Sequence, residues 1–461
     1  MFGEEPKTEE KPPNRPNVLL VFADQMRGMS MGCMGDPDVQ TPNLDRLAKE
    51  GLLFTNALAN CPVCTPARAS LLTGLYPLTH RAVCNDMQVS TDVPTLATVL
   101  KDEGYATGYV GKWHLDGVPR DKFTPPGPRR LGFDYWRAWN CHHDYFSAKC
   151  HADTEEPVAL EGYEPAAQTD LAIQFMRDHR DNPFLLCLSW GPPHDPYDQV
   201  PEEHRKQYVP DKLTLRPNAQ NADREQVANY YAAITALDEQ VGRLVRALKE
   251  LRLDENTLVV FTSDHGDMLG SHDRTHKEQP WEECLLIPLI MRWPARLGNA
   301  QVVDTLVGIV DLMPTILGLA GIEVPKGLGG ADLSAPIRGE MAQEPGSAFL
   351  QVIVPSNQAR GNGVKEWRGI RTKRYTYARY QNGDGWVLFD NRTDPSQQKD
   401  LFHDKSAVRL RRELECELQG WLQKTGDKFL SWQEHIQELD LVEAWNERER
   451  HRHPEKPELV E

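Results

Sequence analysis

Residues with catalytic or metal-binding side chains follow four apolar runs of the sequence. In chain order they are Asp24 and Gln25, Lys112 and His114, His194 and Asp195, and Asp264, His265 and Asp267. An aspartate or histidine after a strand is more often a turn residue or a helix cap, so each segment alone is weak evidence. In open α/β sheets, however, ligands bind just beyond the carboxyl ends of the strands. If the runs are strands of one sheet, a single edge gathers these side chains into one site.

The acidic and neighbouring residues of the first and last runs suit one divalent cation. They are Asp24, Gln25, Asp264 and His265. Two carboxylates, an amide oxygen and an imidazole form a mostly hard ligand set, although two helix caps would also explain them. Cys61 and Cys64 form a CxxC pair, a pattern that is typical of half of a zinc site or of a redox pair. No second pair lies at a suitable spacing, so a closed zinc site is disfavoured.

Cys64 precedes the segment TPARASLLTG, which reads as the start of a helix. Thr65 can cap that helix and Pro66 can take its first position. Cys64 would then lie at a helix N-terminus, where free amides and the helix dipole favour an anion. Arg68 adds a positive charge in the first turn. A buried structural cysteine needs neither feature, so the segment predicts an anion-binding site.

The elements that must position these residues alternate between strands and helices. Fully apolar, β-rich runs lie at 17–23, 107–110, 183–189, 257–262 and 287–291. Such runs separated by helical patterns predict an α/β fold, with a large mostly parallel sheet sandwiched by helices. A helix is predicted over 223–251 from its apolar spacing. Another is predicted between a cap at Thr41 and a stop at Gly51, with Pro42 in its first turn.

The pattern changes near residue 348, and the length of the chain favours two units. Short β-rich runs separated by turn residues at 382–385 predict a smaller domain with an antiparallel sheet and a helix. We therefore expect a flexible tail at 1–16, a catalytic domain at 17–345 and a C-terminal subdomain at 346–461. The charged end of that subdomain, 447–461, is expected to be solvated and mobile.

Composition excludes several classes of function. A formal net charge of −16 disfavours nucleic acid and means that an anionic substrate must meet local positive charge or a metal. No apolar run reaches the ~20 residues of a membrane span, so no membrane insertion is expected. The N-terminus lacks a signal-peptide pattern, so the chain is cytoplasmic as written, and periplasmic or secreted if a leader was removed. Nine irregularly spaced cysteines predict reduced, mostly structural thiols, with Cys64 as the exception.

Residues 64–68 (CTPAR) and 72–74 (LTG) resemble the signature of the type I, formylglycine-dependent sulfatases of the alkaline phosphatase superfamily. The resemblance also covers Asp24, residues 111–114 (GKWH), His194 in a His-x-Pro-Tyr run, residues 264–266 (DHG) and Lys277. It spans roughly 17–294. In that family the signature cysteine is oxidised to formylglycine by a separate maturation enzyme, which the resemblance makes an expected partner.

The resemblance implies a set of site residues. The implied catalytic residues are Cys64, Arg68, Lys112, His114, His194 and Lys277. The implied metal ligands are Asp24, Gln25, Cys64, Asp264 and His265. A hydroxyl of hydrated formylglycine at position 64 would attack sulfur, and the metal would activate it and hold the sulfate oxygens. A hemiacetal sulfate can then collapse to the aldehyde without a second attack at sulfur, an exit that a serine sulfate ester lacks.

The implied roles divide the two half-reactions. Lys112 and Lys277 would bind sulfate oxygens, while Arg68 would orient the diol. His194 or Lys277 would protonate the leaving alcohol. His114 would deprotonate the second hydroxyl, so that the aldehyde reforms and sulfate is expelled.

Two positions depart from the usual pattern of the family. Many sulfatases have Asp-Asp at the first metal position and Asn beside the later Asp, whereas this chain has Gln25 and His265. Fewer negative ligands weaken the preference for Ca²⁺, so Ca²⁺ is the first expectation and Mn²⁺ the second. The same departures resemble phosphonate monoester hydrolases, which are relatives with the same formylglycine. The intact GKWH segment at 111–114 favours the sulfatase.

The leading hypothesis is a sulfatase acting on a sulfated small molecule or glycan, with carbohydrate sulfates as a candidate class. The alternatives are a phosphonate monoester or phosphodiester hydrolase on the same scaffold, and a non-catalytic binder in which Cys64 stays a thiol. A polar aromatic insertion is a candidate for the wall of the substrate pocket: His142, His143, Asp144 and Tyr145. Substrate identity and oligomeric state do not follow from the sequence.

Overall fold

The structure is a computed structural model that describes residues 15–298 and 300–461. The tail expected at 1–16 therefore lies almost entirely outside the described residues. The strands are β1 Asn17–Asp24, β2 Leu52–Phe54, β3 Ala57–Leu58, β4 Ala106–Lys112, β5 Tyr135–Trp139, β6 Lys149–Cys150, β7 Val158–Ala159, β8 Phe184–Pro193, β9 Thr257–Ser263, β10 Leu289–Arg292, β11 Gln301–Val303, β12 Val307–Gly308, β13 Ser347–Val352, β14 Trp367–Thr372, β15 Tyr375–Tyr380 and β16 Gly385–Asp390.

Helices connect these strands and cover them. They are α1 Pro42–Lys49, α2 Cys64–Thr73, α3 Pro77–His80, α4 Leu96–Asp102, α5 Glu164–Asp178, α6 Glu202–Arg205, α7 Arg224–Glu250, α8 Glu282–Leu285, α9 Leu312–Ala320, α10 Ser334–Ile337, α11 Asn357–Gly361, α12 Val408–Thr425, α13 Trp432–Glu438 and α14 Val442–Arg452. The helix predicted over 223–251 is confirmed as α7, which Asp223 caps by accepting hydrogen bonds from two backbone amides.

Eight strands form the main sheet in the order β11-β2-β10-β9-β1-β8-β4-β5. Strand β1 pairs in parallel with β8 and β9, and β4 pairs in parallel with β8 and β5. Strand β10 runs antiparallel to both of its neighbours. The predicted α/β fold with a mostly parallel sheet is confirmed, and all five predicted apolar runs contribute to strands of this sheet.

Alternate residues of β1 enter the cores on opposite faces of the sheet. Val18 and Phe22 belong to the core that contains apolar residues of α2, α4 and α9. Leu19 and Val21 belong to the core that contains apolar residues of α1, α5 and α7. All eight residues of β1 are buried. The helices therefore cover both faces, which explains why the central strands are apolar throughout.

Helix α1 lies where it was predicted, but its first residue is not stabilised as expected. Thr41 occupies the N-cap position without making a side-chain cap hydrogen bond. Its hydroxyl instead accepts a hydrogen bond from the Gly32 amide at 2.8 Å and donates one to Asp45 at 3.0 Å. Thr41 thus ties α1 to the preceding loop.

The second sheet is antiparallel, with strand order β13-β14-β15-β16. This confirms the predicted C-terminal sheet, and the predicted turn at 382–385 lies between β15 and β16. Asn60, in the loop between β3 and α2, contacts this sheet, because its side chain donates to the Phe349 carbonyl at 2.8 Å. The proposed domain boundary between 345 and 346 stays a prediction, and it falls just before β13.

The tail at 447–461 is expected to be solvated and mobile, and the structure contradicts the solvation in part. Helix α14 continues to Arg452, and Glu449 is fully buried. Beyond the helix the chain folds back, so that the Val460 amide donates to Asn446 at 2.9 Å and the Trp445 indole donates to the Glu458 carbonyl at 2.8 Å. The chain folds back because this buries apolar side chains. The charge pattern of the tail gives no sign of that burial.

Two expectations drawn from composition can be compared with the structure. Within the described chain, no helix combines the length and apolar character needed to cross a membrane. All nine cysteines are unpaired, as expected for a chain without a disulfide framework.

A buried histidine next to α2 predicts acid sensitivity. His80 is fully buried, with Nε2 3.2 Å from the Ser70 hydroxyl, while Nδ1 accepts from the Ala82 amide. Burial lowers the pKa of His80 to about 3, below the ~6.5 of an unfolded chain. Its contribution to stability is complete above pH ~6.5 and is lost as pH falls toward 3, by about 1.4 kcal/mol per pH unit.

We expect His80→Asn to weaken the loss of thermal stability between pH 7.5 and pH 5 relative to the unsubstituted protein, as measured by thermal denaturation. His451→Asn, at an exposed histidine, is the matched control and should leave the pH dependence unchanged. Identical pH profiles for His80→Asn and the control would contradict the prediction.

Candidate active site

The four predicted strand ends meet at one edge of the main sheet. Strands β9, β1, β8 and β4 are consecutive neighbours and parallel. Ala23 pairs with Ser263, so Asp24 and Asp264 leave adjacent strands side by side. Lys112 ends β4, and His194 follows β8 directly. The register of the sheet thus converts four separate segments into one site.

Helix α2 presents Cys64 to this edge, but it begins earlier than predicted. Its first residue is Cys64 and its N-cap is Val63, so Thr65 and Pro66 lie inside the first turn. Thr65 does not cap the helix, because its hydroxyl donates to the His114 carbonyl at 2.8 Å. The expected setting of Cys64 at a helix N-terminus nevertheless holds. The helix dipole and its free amides favour an anion there.

Four buried side chains form a group whose ligand atoms all lie within 4.8 Å of one another: Asp24, Cys64, Asp264 and His265. The Cys64 Sγ is 3.2 Å from His265 Nε2 and 3.7 Å from Asp24 Oδ1. Two carboxylates and an imidazole at this spacing fit one divalent cation. The residues present therefore suit a metal, and four of the five expected ligands come together.

Gln25, the fifth expected ligand, interacts with other partners. Its backbone has a positive φ of 69°, and its amide donates to Asp264 Oδ1 at 3.0 Å. Its side-chain oxygen accepts from Lys277 Nζ at 2.9 Å, and its Nε2 donates to Asp267 at 2.9 Å. A role of Gln25 in metal binding stays a prediction.

Arg68 is fully buried between the two acidic residues of the cluster. Its Nε donates to Asp264 at 2.9 Å and its Nη2 donates to Asp24 at 3.1 Å. Lys112 Nζ also donates to Asp24. Burial pushes the pKa of Asp24 up, but the Lys112 ammonium and the Arg68 guanidinium overcome this effect and hold the pKa below its usual range. Asp24 is therefore a carboxylate.

Lys277 lies between Cys64 and His194. Lys277 Nζ lies 3.0 Å from the Cys64 Sγ and 3.1 Å from His194 Nε2. His194 Nδ1 lies 2.8 Å from the Asp195 carbonyl oxygen, which assigns the ring proton to Nδ1 and makes Nε2 an acceptor for Lys277. Burial would raise the pKa of Cys64, but Lys277 and Lys112 lower it well below its usual value. The surroundings of position 64 thus favour negative charge.

Asp86 contacts His114, and the sequence analysis did not single it out. The carboxylate lies 2.9 Å from His114 Nε2 and is held by two hydrogen bonds from Arg120, at 2.8 and 3.0 Å. His114 Nδ1 is buried and has no hydrogen-bond partner in the described part of the chain. Asp86 lies in a loop after α3 rather than at a strand end, so the strand-end pattern that revealed the other residues carries no signal for it.

A cavity of about 480 Å³ opens onto this site. Its lining includes His194 and Lys277 from the site, and His143 from the insertion expected to wall the pocket. His143 stacks on His194 with ring centroids 4.2 Å apart. His142, Asp144 and Tyr145 do not line the cavity, so the expectation of a four-residue wall is right for His143 alone. Tyr145 contacts the backbone of a cavity residue instead, since its hydroxyl donates to the His194 carbonyl at 3.0 Å.

The chain is similar to members of a known protein family. The family model described as Sulfatase matches residues 16–322, which is more than half of the chain. The chain belongs to the sulfatase family. A second model, N-sulphoglucosamine sulphohydrolase, C-terminal, matches residues 270–424 of this sulfatase. Members of the family hydrolyse sulfate esters, and a metal and formylglycine are typical of them.

Individual relatives cover nearly the whole sulfatase. The "Ulvan-active sulfatase" of Formosa agariphila is 38% identical over 444 residues, which span 94% of this chain and 86% of that protein. The "Endo-4-O-sulfatase" of Bacteroides thetaiotaomicron is 30% identical, over 87% of this chain and 91% of that protein. A solved structure of the Bacteroides fragilis protein named yidJ is 32% identical with a TM-score of 0.84, over 92% of this chain and 99% of that one.

Proposed function

We propose that this sulfatase hydrolyses a sulfate monoester of a carbohydrate, through a formylglycine hydrate formed from Cys64 and with one divalent metal. The placement of Cys64 carries the proposal. Its Sγ, which stands in for the reacting oxygen of the modified residue, lies 3.0 Å from Lys277 Nζ. It also belongs to the group that suits a metal. A separate maturation enzyme would supply the oxidation of Cys64.

Two observations support a carbohydrate as the substrate. The Formosa agariphila relative is named for ulvan, a sulfated polysaccharide. The cavity also carries amide side chains from α11 and from three loop positions, namely Asn85, Gln279, Asn357, Gln358 and Asn362. Each amide offers donors and an acceptor, which suit the hydroxyl groups of a sugar.

The first half-reaction transfers sulfate to residue 64. One hydroxyl of the hydrate attacks sulfur, and the bond between sulfur and the sugar oxygen breaks. Lys112 and Lys277 would bind sulfate oxygens, since both ammonium groups lie at this site. The departing oxygen would take a proton from Lys277, or from His194 after its Nε2 has accepted a proton from Lys277, since the two groups line the cavity and lie 3.1 Å apart. The products are an alcohol and a sulfate ester of residue 64.

The second half-reaction regenerates the aldehyde. His114 would remove the proton from the second hydroxyl, the bond between the residue 64 carbon and the sulfate oxygen would break, and sulfate would leave. Asp86 supports this role, because it occupies Nε2 at 2.9 Å and leaves the buried Nδ1 without a partner among the described residues. Asp86 accepts a hydrogen bond from the Nε2–H group of His114, which keeps the ring proton on Nε2. The lone pair is then on Nδ1, and Nδ1 is the basic nitrogen.

Arg68 is assigned to positioning rather than to direct contact with the diol. Its guanidinium bonds to Asp24 and Asp264 and also donates to Ser189 at 2.7 Å. The orientation of the diol expected from the family resemblance would then be indirect, through the two carboxylates.

The metal would be held by Asp24, Asp264, His265 and residue 64, and the resemblance adds Gln25. When bound, a divalent cation at such a site polarises sulfate oxygens and favours the ionised form of a coordinated hydroxyl. Ca²⁺ remains the first expectation and Mn²⁺ the second, because His265 replaces an oxygen ligand with an imidazole nitrogen.

The test begins with mass spectrometry of the tryptic peptide 50–68, from protein produced with a maturation enzyme. We expect conversion of Cys64 to an aldehyde and an unmodified Cys61, which is an internal control within the same peptide. A plain thiol at Cys64, together with sulfated-glycan binding and no turnover, would favour the non-catalytic binder.

Turnover of the modified protein then separates the two hydrolases. We expect sulfated oligosaccharides and an aryl sulfate to be hydrolysed with a higher kcat/KM than an aryl phosphonate monoester. A large preference for the phosphonate would overturn the proposal in favour of the phosphonate monoester hydrolase.

A further inference from the structure

The cavity has a cationic end that lies beyond the residues assigned to the sulfate. Arg120 reaches it from the loop after β4, and Arg448 and Arg452 reach it from α14. His453, the next residue after α14, completes this end of the lining. The C-terminal helix, which belongs to the segment expected to be solvated, therefore forms part of the active-site cavity.

The positive charge at this end exceeds what the neighbouring carboxylate balances. Asp86 Oδ1 accepts from Arg120 and contacts His114, and Asp86 Oδ2 accepts from Arg120 and lies 3.2 Å from Arg452 Nε. One carboxylate thus serves two guanidinium groups. Within residues 15–298 and 300–461, the two Nη atoms of Arg452 make no hydrogen bond. The chain as a whole carries a net charge of −16, so this local excess is contrary to the general pattern.

Arg448 fixes α14 in this position instead of facing the cavity freely. Its Nε donates to the Asn85 carbonyl at 2.7 Å, next to Asp86 in the chain, and it also pairs with the buried Glu449. Arg452 lies one helical turn further along the same face of α14. The anchoring of Arg448 therefore holds the guanidinium of Arg452 at the cavity.

We propose that this cationic end, defined by Arg120, Arg452 and His453, binds an anionic oxyacid group on the sugar unit next to the sulfated one. The inference rests on the proposed function and narrows its substrate class to glycans with a uronic acid or a second sulfate beside the reacting unit. A guanidinium presents a planar fork of donors that matches a carboxylate or a sulfate. One cavity of about 480 Å³ joins this end to Lys277 and His194, and that volume suits a ligand larger than the sulfate alone.

A purely structural role for Arg452 makes a different prediction. If Arg452 only helped Arg120 to hold Asp86, its loss would act through His114 and would lower kcat for every sulfate ester equally. A subsite for an anion instead changes the preference between substrates, and it acts mainly on KM.

The experiment compares matched substrates of the formylglycine-containing enzyme with metal bound. The substrates are a sulfated disaccharide with a neighbouring uronic acid, its carboxyl methyl ester, the corresponding disaccharide with a second sulfate in place of the uronic acid, and an aryl sulfate. We expect the acid or the disulfate to exceed the methyl ester in kcat/KM by about tenfold, the effect of losing one charge-assisted pair. A preference for the acid would identify the bound anion as a uronic acid carboxylate, and a preference for the disulfate would identify it as a second sulfate.

Variants at α14 test the assignment to Arg452. In Arg452→Ala the ratio of kcat/KM for the anionic disaccharide to that for the aryl sulfate should fall about tenfold, mainly through KM. Arg452→Lys should restore part of it. Arg450→Ala, an exposed arginine on the same helix, removes the same charge and should leave the ratio unchanged. Thermal denaturation confirms that each variant is folded.

The outcomes separate this inference from the proposed function. Equal kcat/KM for acid, ester and disulfate, or an equal loss of kcat on all substrates in Arg452→Ala, would overturn the subsite. Absence of any sulfate turnover by modified enzyme would overturn the proposed function instead. In that case calorimetry with Cys64→Ala protein still decides the subsite, because tighter binding of the acid or disulfate than of the ester supports it and equal binding refutes it.

Discussion

Replacement of Cys64 with alanine is expected to lower kcat/KM for a sulfate ester by at least about 10⁴-fold, because the variant has no nucleophile and cannot form one by modification. The fold should persist, since alanine is tolerated in the first turn of a helix and the change is small. Steady-state hydrolysis of an aryl sulfate, measured on metal-loaded protein produced with a maturation enzyme, gives the result.

Cys61→Ala is the matched control for this variant. Cys61 is a buried cysteine three residues earlier, outside the group that suits a metal, and burial raises its pKa further above the usual range of a thiol. We expect its removal to leave kcat/KM within about twofold, since it contributes packing and no chemistry. Comparable losses in the two variants would refute the assignment of Cys64 as the modified residue. They would instead favour a joint role of Cys61 and Cys64 as a CxxC pair.

Replacement of Arg68 with methionine is expected to lower the free energy of unfolding of the metal-free protein by about 3–5 kcal/mol. Methionine matches the apolar stem of arginine but leaves the Asp24 and Asp264 carboxylates in the interior without their shared partner. Lys112 still donates to Asp24, so Asp264 bears most of the loss. Urea denaturation followed by tryptophan fluorescence measures the change.

Metal should rescue this variant more than it stabilises the unsubstituted protein. A divalent cation that binds Asp24 and Asp264 supplies the positive charge that Arg68 no longer provides, and ligands that bind only the folded state stabilise it. Arg409→Met is the control, since Arg409 forms an exposed pair with Glu413 and its loss should not change stability measurably. A stability loss in Arg68→Met no larger than in the control would contradict the buried ion-pair account, and an equal gain from Ca²⁺ in all three proteins would contradict the metal site.

The residues of the site differ in how far local sequence reveals them. Asp24, Lys112, His194 and Asp264 follow apolar runs, and strands that are buried on both faces produce such runs. Their convergence therefore follows once the runs are taken as neighbouring strands. Cys64 is recognisable because a helix start and a short motif coincide at it.

Other residues reach the site through contacts that no local pattern encodes. Asp86 lies in a loop, and its partner His114 is 28 residues away in the chain. The side-chain oxygen of Gln25 turns to Lys277, a contact across 252 residues. Such pairings depend on which loops the sheet register brings together. The types of the flanking residues carry no information about that register.

The C-terminal helix shows most clearly that local sequence does not reveal contacts between distant segments. Its charged composition predicts a solvated segment, and residues 447–461 do carry many charges. Trp445 and Val460 nevertheless join the core on one face of the main sheet, which fixes α14 against the chain near Asp86. A few buried apolar side chains outweigh the solvation of the charged ones, because most of the charges stay at the surface and the buried Glu449 is paired with Arg448, while the apolar area is removed from water.

The sequence by itself determined the α/β class and the strand ends that supply the candidate site, and it predicted Cys64 as the residue that carries the chemistry. These features depend on local periodicity and on residue types adjacent in the chain. Only the tertiary structure decided that Asp24, Cys64, Asp264 and His265 lie within 4.8 Å of one another, that Asp86 holds His114, and that Arg452 borders the cavity. Strand order, register and the packing of distant apolar side chains set these distances, and they are properties of the folded chain as a whole.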